Sequence, residues 1–398
     1  MAAMPFDLNL RHLRAVGATV QRGSMSAAAA DVNLSQPALT QGIAKLESHL
    51  GVALFSRRPG GMDATEAGRM LAARASAAFV HLANASRSGR GFSRPEWLMT
   101  ATQLRAFLSL ADAGSFVGAA AMTGLSQPAI HRAVRDLEQV CGAGLVDRRG
   151  RGIALSPAGL RLARGIRLAR GEIAAGITEI TDASGGSIVI GAMPLSRAML
   201  VPRAIVQTVA DLPNAEVDVI EGSWRELIEA LRDGAIDLTI GALRPEPAPG
   251  DVLQTPLLTD RLMIVGRVGH PLASVETPSP EALAAFPWIV SHSGAPLRLL
   301  WEHLFGEGPL PRAPIHCGSV MVIRGILAET NFLTLLSPQQ VALEIESGML
   351  AAIGPEPELG GRVIGVTTRR DWRPTHAQAR FLEALRQAAE DRTNQFFE

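Results

Sequence analysis

Two short polar faces carry residue types that could read DNA bases. Ser35, Gln36, Pro37, Thr40 and Gln41 form the first; Ser126, Gln127, Pro128, His131, Arg132 and Arg135 form the second. At helical spacing these side chains share one side of a helix start. A Gln amide can make a bidentate pair with adenine, and an Arg guanidinium with guanine. The doublets Arg57-Arg58 and Arg148-Arg149 follow each face and could meet phosphate oxygens. For one face alone, ordinary solvated polar residues would be the simpler reading; recurrence and charge distribution favour the nucleic-acid reading. A third set lies in the second half, in the turns Met193–Ser196, Glu221–Ser223, Ser291–Ser293 and Cys317–Ser319. Pro194, Ser196, Ser223, Ser291, Ser293 and Ser319 are the candidates there, where hydroxyls and free backbone N–H groups could hold a carboxylate or sugar oxygens. Each serine could instead be only a helix cap, but four corresponding turns favour a pocket.

Patterns for bond-making chemistry are missing. There is no Gly-x-Ser-x-Gly in an elbow context, no phosphate-cradling Gly-Lys-Ser/Thr loop, no His-Glu-x-x-His and no Cys-x-x-Cys. His270, His292, His303, His316 and His376 are scattered without ligand spacing. No catalytic residue, metal site or cofactor is expected, and an enzyme is disfavoured.

The elements that position the two polar faces are repeated. Leu34–Ala38 and Leu125–Ala129 are both Leu-Ser-Gln-Pro-Ala, an offset of 125 − 34 = 91. At that offset, 22 of the 60 positions from 10–69 are identical in 101–160 without a gap, including Gly23-Ser24, Ala28–Ala30, Leu46-Glu47 and Ala67-Gly68. In the first copy Leu10, Leu13, Val16 and Val20 make one apolar stripe, and Gly23-Ser24 ends that helix and caps the next, Ser26–Val32. Ser35 caps a third helix that buries Leu39, Ile43, Leu46 and Leu50 and stops at Gly51, with Pro37 in its first turn. Strands at Leu54-Phe55 and Met62–Ala64 flank the Arg57–Gly61 turn. Three helices and a β-wing make a winged helix-turn-helix, whose third helix enters the major groove.

A longer helix follows each wing, Glu66–Asn84 and Pro157–Ile180. The second carries Leu160, Leu162, Ile166, Leu168, Ile173, Ile177 and Ile180 on broadly one side. A surplus stripe of this kind suits a partner helix and reads as a dimerisation surface, with packing on its own domain as the alternative. Ser86–Pro95 reads as a Gly/Ser/Arg linker. The expected limits are 8–66 and 102–158 for the winged domains, 67–95 for the first helix and linker, 159–183 for the second long helix, and 187–398 for the rest. From Ser187 strands and helices alternate, as in α/β folds. Strands are expected at Ile188–Ala192, Val217–Glu221, Leu238–Gly241, Leu262–Gly266, Trp288–Ser291, Ile315–Cys317, Leu333–Leu336 and Val363–Thr367.

The 398 residues carry no net charge, yet residues 1–182 hold 21 Lys+Arg against 13 Asp+Glu, 21 − 13 = +8, and the remainder is −8. A basic first half suits a polyanion. Two cysteines, one per half, fit a reducing compartment. Neither a signal peptide nor a membrane span is evident, so the cytoplasm is the expected location.

These segments resemble a known family. LRHLRAVGATVQRGSMSAAAADVNLSQPALTQGIAKLESHLGVALFSRR and LRAFLSLADAGSFVGAAAMTGLSQPAIHRAVRDLEQVCGAGLVDRR are similar to the DNA-binding domain of LysR-type transcriptional regulators. GSIVIGAMPLSRAMLVP, AIDLTIGAL and VIRGILAETNFLTLLSP resemble that family's effector domain. TTRRDWRPTHAQARFLEALR is similar to the branch that regulates sugar-binding-protein and aromatic-catabolism genes. The resemblance implies a periplasmic-binding-protein-like fold of two lobes, about 187–266 plus 338–398 and about 267–337. It places Ser196, Ser223 and Ser319 where the family meets its effector. It also implies a homodimer or homotetramer on double-stranded promoter DNA, a small-molecule inducer of sugar or small-carboxylate class, and RNA polymerase as a candidate contact. The chain departs from the family in having two DNA-binding copies where one is usual. A ligand-binding receptor whose N-terminal domains serve only oligomerisation is the competing reading.

Overall fold

The computed structural model describes residues 5–58, 61–87, 91–149, 152–181, 185–193, 200–244, 248–359 and 361–394. Contacts divide the chain into two compact units: Met1–Gly186 with Asp233–Ala235, and Ser187–Arg232 with Ile236–Glu398.

The first unit runs from a 3-10 turn at Pro5–Asp7 into α1 (Leu10–Arg22), α2 (Met25–Asp31) and α3 (Gln36–Leu50). The hairpin β1 (Phe55–Arg58) and β2 (Gly61–Ala64) comes next, then α4 (Glu66–Ser86). After a second 3-10 turn at Pro95–Trp97 the order returns as α5 (Ala101–Ala113), α6 (Phe116–Thr123), α7 (Gln127–Cys141), β3 (Val146–Arg149), β4 (Gly152–Leu155) and α8 (Pro157–Thr181). The repeated residues explain the repeated order. Ser35 Oγ accepts from Ala38 N, and Ser126 Oγ from Ala129 N, so each Ser-Gln-Pro starts a capped helix. Glu47 Oε1 accepts from Leu54 N at 2.7 Å and Glu138 Oε1 from Leu145 N at 2.8 Å, tying the third helix of each copy to its hairpin. A Cβ on Gly68 would lie 2.1 Å from Leu54 O, and one on Gly159 2.1 Å from Leu145 O. Only glycine lets α4 and α8 start against that backbone.

Divergent positions compensate locally. A Cβ on Gly42 would meet the His12 ring at 2.7 Å. The counterparts, 42 + 91 = 133 and 12 + 91 = 103, are Ala133 and Gln103. The helix-weakening glycine of α3 therefore makes room for a bulkier neighbour on α1. Burial and then Lys45 lower the His12 pKa, which favours the uncharged ring.

The long helices overturn an expectation. Leu162, Ile166, Ile173 and Ile177 of α8 are buried, and α8 packs along α4 of the same chain. The stripe expected to meet a second subunit is covered from within, while Leu160 stays 60% exposed. Residues 88–90 of the expected linker lie outside the described residues, but its C-terminal part is docked. Phe92 N donates to Val140 O, and Pro95 and Glu96 are buried.

The second unit contains β5 (Gly185–Ala192), α9 (Leu200–Asp211), β6 (Asn214–Glu221), α10 (Trp224–Arg232), β7 (Leu238–Ala242), β8 (Val252–Asp260), β9 (Met263–Arg267), α11 (Pro280–Ala284) and β10 (Ile289–Val290). It continues with α12 (Pro296–Leu304), β11 (Ile315–His316), α13 (Val320–Glu329), β12 (Thr334–Leu336), α14 (Ala342–Glu346), β13 (Leu350–Ala352), β14 (Arg362–Arg369) and α15 (His376–Asn394). It is an α/β domain of two lobes. One sheet has the order β6-β5-β7-β14-β8, with β5 and β7 parallel and β14 antiparallel to β7 and β8. Its apolar face, built on Ile188, Ile190, Leu238, Ile240, Ile364 and Val366, is covered by α9 and α15. The other lobe holds the antiparallel sheet β12-β9-β13 and the parallel pair β10-β11 around Trp288, Trp301 and Phe305.

The lobe limits differ from those expected. β9 and β13 fall within the expected first lobe, yet they pair with each other in the second, burying Ile264, Val265 and Leu350 there. The chain crosses between Asp260 and Met263 and returns between Ala352 and Arg362. β8 is absent from the expected strands, because Gln254, Thr255 and Pro256 interrupt its apolar pattern. It lies at the sheet edge, where a proline is tolerated.

Candidate functional site

In the first unit the two polar faces stand where helix capping puts them. Gln36, Pro37, Thr40 and Gln41 are exposed on α3; Gln127, Pro128, Arg132 and Arg135 are exposed on α7. The hydroxyls of Ser35 and Ser126 are engaged as caps. Thr40 Oγ1 donates to Gln36 O at 3.0 Å, which leaves its methyl outward. His131 is half-buried and stacked on Phe116, ring centroids 3.6 Å apart, so its ring is held against α6. Arg57, Arg58, Arg148 and Arg149 lie on the hairpin strands β1 and β3; their side chains are outside the described set.

In the second unit a cavity of about 790 Å³ lies between the lobes. Met193, the Ser223–Glu226 turn, Ala242, Arg244 and Arg362 line it from one lobe. The Ser291–Leu297 turn, Cys317, Gly318 and Thr334–Leu336 line it from the other. Ser223, Ser291 and Ser293 are thus brought together. Ser223 is already engaged: its N–H and hydroxyl both donate to Glu226 Oε2, at 2.8 and 2.7 Å, which holds that carboxyl below the usual range. Ser319 does not line the cavity; its Oγ accepts from Val322 N and caps α13, while Gly318 and Val320 form the wall. Pro194 and Ser196 lie outside the described residues.

The strongest polar feature escaped sequence reasoning. Arg244 follows β7, donates from Nη1 to Gly294 O across the cleft at 2.7 Å, and has Trp224 within 5.8 Å of its guanidinium carbon. Its Nε is buried and makes no hydrogen bond among the described residues. Burial lowers its pKa from the ordinary arginine value, but the group remains a cation near neutrality. α12 starts at Pro296 with no side-chain cap from Ala295; Pro296 has no N–H, and Ala295 N and Arg298 N donate to His292 O and Ala295 O, which leaves only the Leu297 N–H without a backbone partner there among the described residues. A cation with an unused donor beside an aromatic wall suits a small carboxylate. Behind it, Arg362 Nε and Ser337 Oγ both donate to Asp260 Oδ2, at 3.0 and 2.9 Å, where the chain passes between lobes. Among the described residues no cluster of three or more His, Cys, Asp or Glu could hold a metal ion, and no helix is long and apolar enough to cross a membrane.

The cysteines offer a direct probe. Burial pushes the Cys141 thiol up to about 11, whereas Cys317 lines the cleft. Iodoacetamide at neutral pH is expected to label Cys317 and spare Cys141 in the folded chain. Equal labelling of both would contradict this packing.

Comparisons with known proteins agree with the two units. Residues 181–390 match the LysR substrate binding domain, and residues 10–69 and 101–160 each match the bacterial regulatory helix-turn-helix protein of the lysR family. The HTH-type transcriptional regulator GalR of Pseudomonas putida is 30% identical over 385 residues, 95% of this chain and 97% of that protein. The HTH-type transcriptional regulator PcaQ of Agrobacterium fabrum is 27% identical over 292 residues, 72% of this chain and 94% of its own. The solved structure of full-length LysG from Corynebacterium glutamicum with bound effector Arg aligns with a TM-score of 0.54 at 20% identity. It covers 74% of this chain and 99% of that one.

Proposed function

The chain belongs to the LysR family of bacterial transcriptional regulators, and on that premise we propose that it reads promoter DNA through two tandem winged helix-turn-helix domains under control of a small carboxylate. It is a regulator, as its relatives are, and not an enzyme. The observation that carries the DNA reading is the recurrence of a Ser-capped helix with an exposed polar start inside both helix-turn-helix matches. The PcaQ comparison supports the duplication, since nearly the whole of that protein accounts for only 72% of this chain. The reading assigns base contacts to Gln36, Thr40 and Gln41 of α3 and to Gln127, Arg132 and Arg135 of α7. The wing pairs Arg57-Arg58 and Arg148-Arg149 go to phosphates, and His131 supports α6 and α7. Arg244, Ser291 and Ser293 hold the effector carboxylate, with Trp224 beside it. Ligand closure would then shift the arrangement of DNA-binding domains. Membership of the family supports a cytoplasmic location, a homodimer or homotetramer and RNA polymerase as a candidate contact.

Arg132→Ala tests the assignment. Specific DNA affinity at about 0.15 M salt is expected to fall by about 1–3 kcal/mol, with base preference relaxed at one position. Binding that weakens equally on all sequences would make Arg132 a phosphate contact, and unchanged binding would remove it from the interface.

A further inference from the structure

We propose that one chain alone carries a complete two-headed reader, built for a pair of inverted, non-identical half-sites. This rests on the DNA reading above and specifies its target. The two copies in the first unit contact each other reciprocally. A Cβ on Gly176 of α8 would lie 3.0 Å from the Arg74 Cβ of α4, and one on Gly165 would lie 2.3 Å from the Ala85 Cβ. In the first copy's numbering, 176 − 91 = 85 and 165 − 91 = 74. Position 74 therefore meets position 85 in both directions, along two antiparallel helices. The segments that precede each copy also cross over, through the same arginine position but with partners one or two residues apart. Arg14 Nη2 donates to Glu96 O at 3.0 Å and its guanidinium lies over the Trp97 ring, 4.6 Å away. Arg105, at 105 − 91 = 14, pairs with Asp7 at 3.5 Å. The Pro5–Asp7 turn packs on α5 and α8, and the Pro95–Trp97 turn packs on α4. Contacts of the form i to j′ and j to i′ define a two-fold axis, here between two halves of one chain.

The residues at this contact specify an unlike pair. Arg74 bonds Glu172 at 3.1 Å and grips Glu179 through Nε and Nη2 at 3.0 and 2.5 Å, all three side chains nearly buried. In the first copy's numbering the glutamates stand at 172 − 91 = 81 and 179 − 91 = 88. A pair of α4 helices from two chains would set Arg74 against His81, with no carboxylate at that position. A pair of α8 helices would set Glu172 against Gly165, with no guanidinium. Buried charge therefore selects α4 with α8. A two-fold between α3 and α7 matches the local symmetry of duplex DNA and requires inverted half-sites. The reading faces differ, Thr40-Gln41 standing where the other copy has His131-Arg132, so the half-sites differ too.

The test uses the full chain and a pool of random duplex DNA at about 0.15 M salt, with bound molecules sequenced. The wild type is expected to enrich two inverted, unlike half-sites. Gln41→Ala is expected to relax base preference about 5- to 150-fold in one half, and Arg132→Ala to do so in the other; both side chains are exposed, so neither change threatens folding. Identical half-sites with one variant relaxing both halves would overturn the proposal, since one copy from each of two chains would then be reading. A lone half-site sensitive to one variant would overturn it as well. No enrichment of any sequence would overturn the DNA reading itself.

Discussion

Replacing Arg74 with Met is expected to destabilise the N-terminal unit by about 3–5 kcal/mol, the cost of removing one partner from a buried charge cluster. The side chain is 8% exposed, and Glu172 and Glu179 are 10% and 13% exposed. Without the guanidinium both carboxylates stay buried, close together and poorly solvated. Amide hydrogen exchange of Glu66–Ser86 and Pro157–Thr181 reads the effect, and should accelerate about 10²-fold or more. The triple change Arg74→Met, Glu172→Leu and Glu179→Leu should recover most of the loss, because an apolar replacement carries no uncompensated charge. Protection unchanged in Arg74→Met would mean that α4 and α8 are not held by this cluster.

The second large effect is expected at Arg244. Arg244→Leu should raise the Kd for a carboxylate effector by about 30-fold or more, as truncating one partner of a buried charge pair costs about 2–5 kcal/mol. Arg244→Lys should recover only part of it, since an ammonium cannot keep the Gly294 contact while presenting a second donor in the guanidinium's geometry. The readout is protection of Cys317 from iodoacetamide by benzoate or succinate, the simplest aromatic and aliphatic probes for a site beside Trp224. Sugars protecting Cys317 while carboxylates do not would reverse the ligand class, and protection by carboxylates that survives Arg244→Leu would remove the arginine from the site.

Much of the N-terminal unit is legible in the sequence because its residues act locally. Ser35, Ser126 and the glycines after each helix set ends through their own backbone geometry, so the limits of α3 and α7 follow from single residues. The pairing of α4 with α8 is not legible, since an apolar stripe does not name its partner. One signal is present: Arg74 interrupts the stripe Leu71, Ala75, Ala78 and Leu82, and Glu172 and Glu179 flank Ile173 and Ile177. An arginine and two glutamates on apolar faces call for each other. In the second unit the serines in turns stand out, but Ser319 spends its hydroxyl on a cap. Arg244 instead follows the apolar strand Leu238–Ala242, and only the fold shows that this strand ends at the cleft. The lobe crossing at Asp260 is hidden for a similar reason. Strands β8 and β9 are adjacent in sequence but belong to different sheets, and their separation depends on partners far along the chain.

The most direct measurement is a DNase footprint of the full-length protein on the DNA upstream of its own gene, at about 0.15 M salt with excess competitor. The account predicts a competitor-resistant protected stretch spanning two successive half-sites, about one helical turn each. A chain that leaves this DNA unprotected, with and without the carboxylates that shield Cys317, would contradict it.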